Sequence, residues 1–286
     1  MKNDEIKRKN NIKRKNKHVY DKKTANNKKT TNILIRVFII FFIILFLFSS
    51  YKLFEYYKEN KANKKISQDI LSSAVQIISI DDKKEKIEID FGKKKKKNEE
   101  TIGYLKVNGT NVEYPIVQTN NNEFYMIHNF EKTYNSAGWA FADFRNKLDG
   151  TDKNIVIYAH NRKDGSMFST LKNILNKNWE EKEENRDVIF ILDNDETNVI
   201  YKVFSVYEIL EEDYYITTDF SNTDFGKFLE KIKSRSIYDF NVEVDENDNI
   251  LTLSTCGKNN NYRIVLHAKK VYVRWVKNGY NSRLIK

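Results

Sequence analysis

The sequence predicts a mainly β domain, folded as a closed or partly closed barrel and carried behind one apolar segment. Three observations predict it. From Thr101 onward, short runs rich in β-branched and aromatic residues alternate with turn signals. Only two stretches in that region show a helical hydrophobic period. A single run near the N-terminus is apolar enough to cross a bilayer.

That run extends from Ile33 to Phe48, is broken only by Arg36, and fades through Tyr51, Leu53 and Phe54. Spanning a bilayer takes roughly 20 apolar residues. The stretch 33–54 suffices if Arg36 and Lys52 reach out to the headgroups. No small-residue cleavage pattern follows it, and the basic region before it is long for a signal peptide. We therefore read it as an uncleaved signal anchor. The chain carries a net charge of +10, and all of that excess sits in residues 1–36, which hold 13 Lys/Arg against 3 Asp/Glu. The other 250 residues are balanced, with 37 of each sign. A nucleic-acid domain would carry its basic excess on its folded part, so that class is disfavoured. A basic tail ahead of an apolar segment predicts a cytoplasmic N-terminus and an exported C-terminal part.

The predicted organisation follows. Residues 1–32 form a basic cytoplasmic tail without regular structure, and 33–54 the transmembrane anchor. Residues 55–100 form a helical and linker region. Its helix, over 55–80, rests on Ile66, Ile70, Ala74 and Ile77 at three- to four-residue spacing. The lysine run Lys93–Lys97 reads as a solvated linker. Residues 101–286 form the β-barrel domain. Its expected strands cover 102–107, 112–117, 140–144, 154–159, 187–192, 199–210, 250–256 and 262–276. Asn108-Gly109 between the first two marks a hairpin. Helices are expected over 166–175 and 223–234. The second places Phe225, Phe228, Leu229 and Ile232 on one face.

The chain has one cysteine, so no internal disulfide can form. Cys256 is either a small buried hydrophobe or a functional thiol. Alternation along 250–256 puts Ser254 and Cys256 on one strand face, and Gly257 ends the strand, where a cleft could reach the thiol. On the returning strand Arg263, Val265 and His267 share a face. If the two strands pair, Arg263 lies near Cys256. There it would favour the thiolate and stabilise an oxyanion. The competing reading is a surface arginine on an edge strand. A nucleophilic cysteine needs a proton shuttle, usually histidine. His18 lies in the tail and His267 within a strand. His160 ends an apolar strand and leads into a polar loop. His128 lies in a mixed segment and stays open as an alternative.

At this point the sequence resembles a family. Thr252-Leu-Ser-Thr-Cys256, with Arg263 seven residues after the cysteine, resembles the TLxTC…R signature of sortases. Tyr158-Ala-His-Asn161 is similar to their histidine segment. The class B branch is resembled by the run from Tyr158 to Phe168, by Phe124-Tyr-Met-Ile-His-Asn129 with Gly138 and Phe141-Ala-Asp-Phe-Arg-Asn146 after it, and by Tyr262-Arg-Ile-Val-Leu-His-Ala-Lys269. The resemblance implies an eight-stranded sortase-type β-barrel with an N-terminal helix and a helix between the sixth and seventh barrel strands. It implies Cys256, His160 and Arg263 as catalytic residues, with no cofactor and no metal. It implies cleavage of a C-terminal sorting signal, NPxTx-like or related, in exported proteins. The acyl group would pass through a thioester to a peptidoglycan amine. Ser254, Tyr158, Asn122, Met126, Tyr215 and Ile216 match positions that would line the substrate groove. Plain core packing is the competing reading of the last two. A hydrolytic cysteine endopeptidase and an idle membrane-anchored binding protein are the alternatives.

Overall fold

The computed structural model describes residues 2–81, 84–193, 199–257 and 261–272. Two compact units divide the chain, Met1–Tyr57 and Lys58–Lys286. The first is helical and belongs to α1 (Lys2–Ala74). Its apolar side chains are exposed, Phe46 at 71%. The stretch Thr31–Ser73 holds a window of mean hydropathy 2.8, none of it buried, and is a candidate membrane span. The tail expected to lack regular structure is instead helical from Lys2. Lysine is a good helix former, and a formed apolar helix supplies the nucleus from which such a segment extends.

The second unit begins with the end of α1 and then a short hairpin, β1 (Val75–Asp81) against β2 (Lys84–Ile89). This corrects the helix expected to reach residue 80. Val75, Ile77 and Ile78 are β-branched and pair across the hairpin with Ile89, Ile87 and Lys86. Their strand preference outweighs a loose helical spacing. The lysine run is also not a linker. It forms α2 (Phe91–Lys97), where Lys95 pairs with Asp193.

Eight strands then close a barrel. They are β3 (Thr101–Val107), β4 (Glu113–Val117), β5 (Phe141–Ala142), β6 (Asn154–Tyr158), β7 (Asp187–Leu192), β8 (Val199–Leu210), β9 (Ile250–Cys256) and β10 (Tyr262–Tyr272). Their order around the barrel is β10-β8-β7-β3-β4-β5-β6-β9, with β9 pairing back onto β10. Closure removes free strand edges. β5 is shorter than the expected 140–144, and Asp143 just beyond it accepts from Arg145. The helix expected over 166–175 is a tighter 3₁₀ segment, Ser169–Leu175, followed by α3 (Lys177–Glu180). Residues 273–276 of the last expected strand lie outside the described residues.

Leu105, Ile116, Ile157, Phe190, Val203, Leu253 and Leu266 fill the main core. The helix α4 (Phe225–Ser234), between the sixth and seventh barrel strands, covers a second cluster. Asp224 caps it by accepting a bond from the Lys227 N–H at 3.0 Å. One polar knot lies inside the packing. His267 is fully buried, with Nε2 2.8 Å from the Tyr207 hydroxyl and Nδ1 2.9 Å from Thr252 Oγ1. Thr252 in turn donates to Asn154 Oδ1 at 2.6 Å. The Thr252 proton is therefore used, so Nδ1 donates to Thr252 and Nε2 accepts from Tyr207. Burial first, and the Arg235 charge second, push the His267 pKa down to about 3.

Candidate active site

Two ladders fix the positions of the three residues singled out for chemistry. β9 runs antiparallel to β10, with Cys256 opposite Arg263 and Ser254 opposite Val265. β9 also runs parallel to β6, with Ser254 opposite Tyr158. Cys256 is the last residue of β9 and lies two past Ser254. His160 lies two past Tyr158, just beyond the end of β6. The parallel ladder ends at that pair, two residues short of His160 on one chain and of Cys256 on the other. The Thr255 hydroxyl donates to the Ala159 carbonyl at 2.8 Å and ties the two chain ends together. The strand ends therefore assemble the cysteine and histidine backbones at one rim of the barrel, with the first residues of β10 across from them.

The His160 ring is anchored on one side. Its Nε2 lies 2.8 Å from the Met126 carbonyl oxygen. Phe168 N–H donates to the His160 carbonyl at 2.9 Å and fixes the loop that follows. Arg263 is largely covered, with 19% of its side chain exposed. Its Nη1 donates to the Tyr262 carbonyl at 3.1 Å and its Nη2 to the Glu211 carboxylate. His128 is held within its own segment. Its Nδ1 lies 2.8 Å from the Phe124 carbonyl, and its ring stacks on Phe124 with centroids 4.0 Å apart.

The residues expected to line a groove fall around one buried carboxylate. Asp143 has no exposed surface. Arg145 grips it through Nε at 2.8 Å and Nη2 at 2.7 Å. The Tyr158 hydroxyl donates to it at 2.8 Å and Asn122 Nδ2 at 3.1 Å. Asn122 also accepts from the Phe144 N–H at 3.0 Å. Arg145 Nη2 extends to the Ile216 carbonyl at 3.0 Å. Tyr215 is buried in the cluster under α4, and its hydroxyl lies 3.0 Å from Ser254 Oγ. Met126 is exposed, and its carbonyl faces the His160 ring. Burial alone would raise the Asp143 pKa, but the bonds from Arg145 and Tyr158 and the Arg145 charge outweigh it and hold the carboxyl below its ordinary range. Burial, then the adjacent Asp143 charge, raise the Tyr158 phenol, so it is a neutral donor. Burial also raises Tyr215, partly offset by its bond to Ser254.

Asp143, Arg145 and Glu211 are absent from the sequence-based candidates. Asp143 and Arg145 stood inside a quoted motif, and their alternation around Phe144 was the available signal. Glu211 carried none, because its partner is 52 residues away.

A closed barrel whose lone cysteine ends a strand opposite an arginine, with a loop histidine just past the neighbouring strand, fits the class of thiol-dependent acyl-transfer enzymes. Residues 105–271 match the family model described as the Sortase domain. Sortase B of Listeria monocytogenes is 35% identical over 217 residues, 74% of this chain and 87% of that protein. A Bacillus anthracis protein similar to sortase B, solved as a crystal structure, aligns with a TM-score of 0.64 at 33% identity. It covers 77% of this chain and 98% of its own. A Staphylococcus aureus sortase B-substrate complex aligns with a TM-score of 0.59 at 33% identity, covering 64% of this chain and 85% of its own. The chain belongs to the sortase family, in its class B branch, and is a cysteine transpeptidase.

Proposed function

We propose that this transpeptidase is held in the membrane by residues 33–54, with its barrel on the outer face, and that it joins exported proteins to peptidoglycan. Cys256 is the nucleophile, His160 the acid and base, and Arg263 the oxyanion partner. The thiolate attacks a backbone carbonyl within an NPxTx-like or related sorting signal. The scissile C–N bond breaks, and the leaving amine takes its proton from His160. The product is a thioester on Cys256. An incoming peptidoglycan amine then gives a proton back to His160 and attacks the thioester. The C–S bond breaks, and the thiolate is restored. Arg263 carries its planar donors toward the oxygen that becomes negative in each step. Ser254, Tyr158, Asn122, Met126, Tyr215 and Ile216 line the peptide groove.

One observation carries this reading. The paired registers put Arg263 opposite Cys256 and Tyr158 opposite Ser254, so three distant parts of the chain arrive at one rim. The apolar exposed helix and the basic residues before it support the anchor and its direction.

The test is intact-mass spectrometry of the full chain in detergent, incubated with a library of proline-containing pentapeptides. A peptide-dependent adduct is expected on Cys256, lost in Cys256→Ala, and discharged by added triglycine. Arg263→Lys is expected to lose about 100-fold in turnover, because a point charge does not replace a two-pronged donor. No adduct with any peptide, or an adduct that persists in Cys256→Ala, ends the assignment of the nucleophile.

A further inference from the structure

The end of α1 touches the loop that holds His160, and it does so with buried asparagines rather than apolar residues. Asn60, Asn63, Ser67 and Ile70 fall at three- to four-residue steps, so they share one helix face, and all four are buried. Only 1% of Asn63 is exposed. Apolar side chains would suffice for mere docking, and a buried amide is costly unless every group is paired. Here the pairing is extensive. Asn63 Nδ2 donates to the Gly138 carbonyl at 3.1 Å, and Asn63 Oδ1 accepts from Asn135 Nδ2 at 2.9 Å. Asn135 also donates to the Glu59 carbonyl at 3.2 Å. Ser136 donates its N–H to the Glu59 carboxylate at 3.2 Å.

The loop so gripped is the one behind the histidine. Gly138 has φ +60°, and a Cβ there would stand 2.5 Å from the Tyr125 carbonyl, 2.8 Å from the Met126 carbonyl and 3.1 Å from His160 Cδ2. Gly138 therefore wedges against both the ring and the carbonyl that the ring bonds. A second clamp acts through the chain that follows His160. Arg162, two residues on, donates from Nη1 to the Ser136 carbonyl at 3.1 Å and from Nη2 to Asn60 Oδ1 at 2.8 Å.

We infer that Asn63 and Asn60 are positioning residues for the transpeptidation, holding the His160 imidazole in register with Cys256 through the 135–138 loop and through Arg162. The inference rests on the reading of His160 as the acid and base. Near-contact chemistry is steep in distance, and a shift of ~1 Å can cost ~100-fold in rate. Loss of the clamp therefore falls on turnover and not on peptide affinity, because neither asparagine lies among the groove residues.

The experiment compares Asn63→Ala, Asn60→Ala, Ile70→Val and His160→Ala in the full chain in nanodiscs. It follows a fluorogenic NPxTx-type pentapeptide with triglycine as acceptor. It also follows the rate of iodoacetamide alkylation, which reads only Cys256 because the chain has one cysteine. Thermal midpoints are recorded for each variant. Asn63→Ala and Asn60→Ala are expected to lower kcat about 10-fold or more with KM within about 2-fold, and to change the alkylation rate. Ile70→Val, which loosens the same helix face but removes no hydrogen bond to the loop, is expected to lower the midpoint and leave kcat within about 2-fold. An inactive His160→Ala beside wild-type kcat and alkylation in both asparagine variants overturns the positioning role alone. An active His160→Ala overturns the underlying reading of the site. Should Asn63→Ala fail to fold, Asn60→Ala decides the matter through Arg162.

Discussion

Asp143 is the residue at which local chemistry and global arrangement meet. A carboxylate with no exposed surface is tolerable only when its oxygens are filled, and five donor bonds from three residues fill them. Those donors come from β6, from the loop before β5 and from the turn after it. Arg145 then spends its remaining reach on the Ile216 carbonyl, in the connection beneath α4. The pair therefore fixes three walls at once. Arg145→Ala leaves the buried charge without its cation and is expected to cost about 3 kcal/mol of stability in urea melts. It also frees the Ile216 segment, so KM for the peptide is expected to rise more than kcat falls. Arg145→Lys restores charge but not the two-pronged grip and is expected to recover only part of both. A KM unchanged in Arg145→Ala would separate this pair from the groove.

Elements with a strong local signature were legible in the sequence. Residues 187–192, 199–210 and 250–256 are strands as expected, because β-branched, aromatic and leucine residues dominate them between clear turns. The amphipathic helix around Phe225 and Phe228 was legible from its helical period. Elements decided by partners were not. In the stretch Val75–Asp81 a loose helical spacing competes with the strand preference of β-branched residues, and pairing with β2 settles it as a strand; the lysine run is helix. In the site, the meeting of Arg263 with Cys256 followed from a hairpin that alternation implied. The meetings of Asp143 with Tyr158, of Asn63 with Gly138 and of Glu211 with Arg263 did not. They join residues 15, 75 and 52 positions apart, with no period to announce them. α4 illustrates how an element serves the rim at a distance. Phe228 is fully buried against Phe220 and Phe225, within the cluster that also holds Tyr215. Phe228→Ala is expected to cost about 3–5 kcal/mol by chemical denaturation. It should also loosen the Tyr215 hydroxyl from Ser254, read as a raised KM at temperatures where the variant is still folded.

Across the whole molecule, acid is the condition that should unfold the barrel, and the first group to respond is a histidine. The part of the chain after residue 36 is electrically balanced, so near neutral pH it carries no net self-repulsion. His267 is the exception to indifference. It is neutral in the fold, bonded through both ring nitrogens, and its pKa is pushed down to about 3. In the unfolded chain it would titrate near ~6.5. The folded value is the lower one, so the unfolded chain binds more protons throughout that window. The stabilisation is whole above pH ~6.5 and is lost as pH falls toward about 3, at up to ~1.4 kcal/mol per pH unit. Asp143, also held below its ordinary value, has the same sign but acts later, below pH ~4, where the unfolded carboxylate begins to protonate. Two phases are therefore expected in urea midpoints measured between pH 7.5 and 3.5: a decline beginning below pH ~6.5, then a steeper one once carboxylates join. His267→Gln can still bridge Tyr207 and Thr252 but cannot take up the proton. It is expected to be less stable than the native chain at pH 7.5 and to lose the first phase while keeping the second. A native midpoint that stays flat from pH 7 to pH 5 would mean that the buried imidazole takes up its proton without opening the barrel, and the neutral knot among Tyr207, Thr252 and Asn154 would lose its role in holding β6, β8, β9 and β10 together.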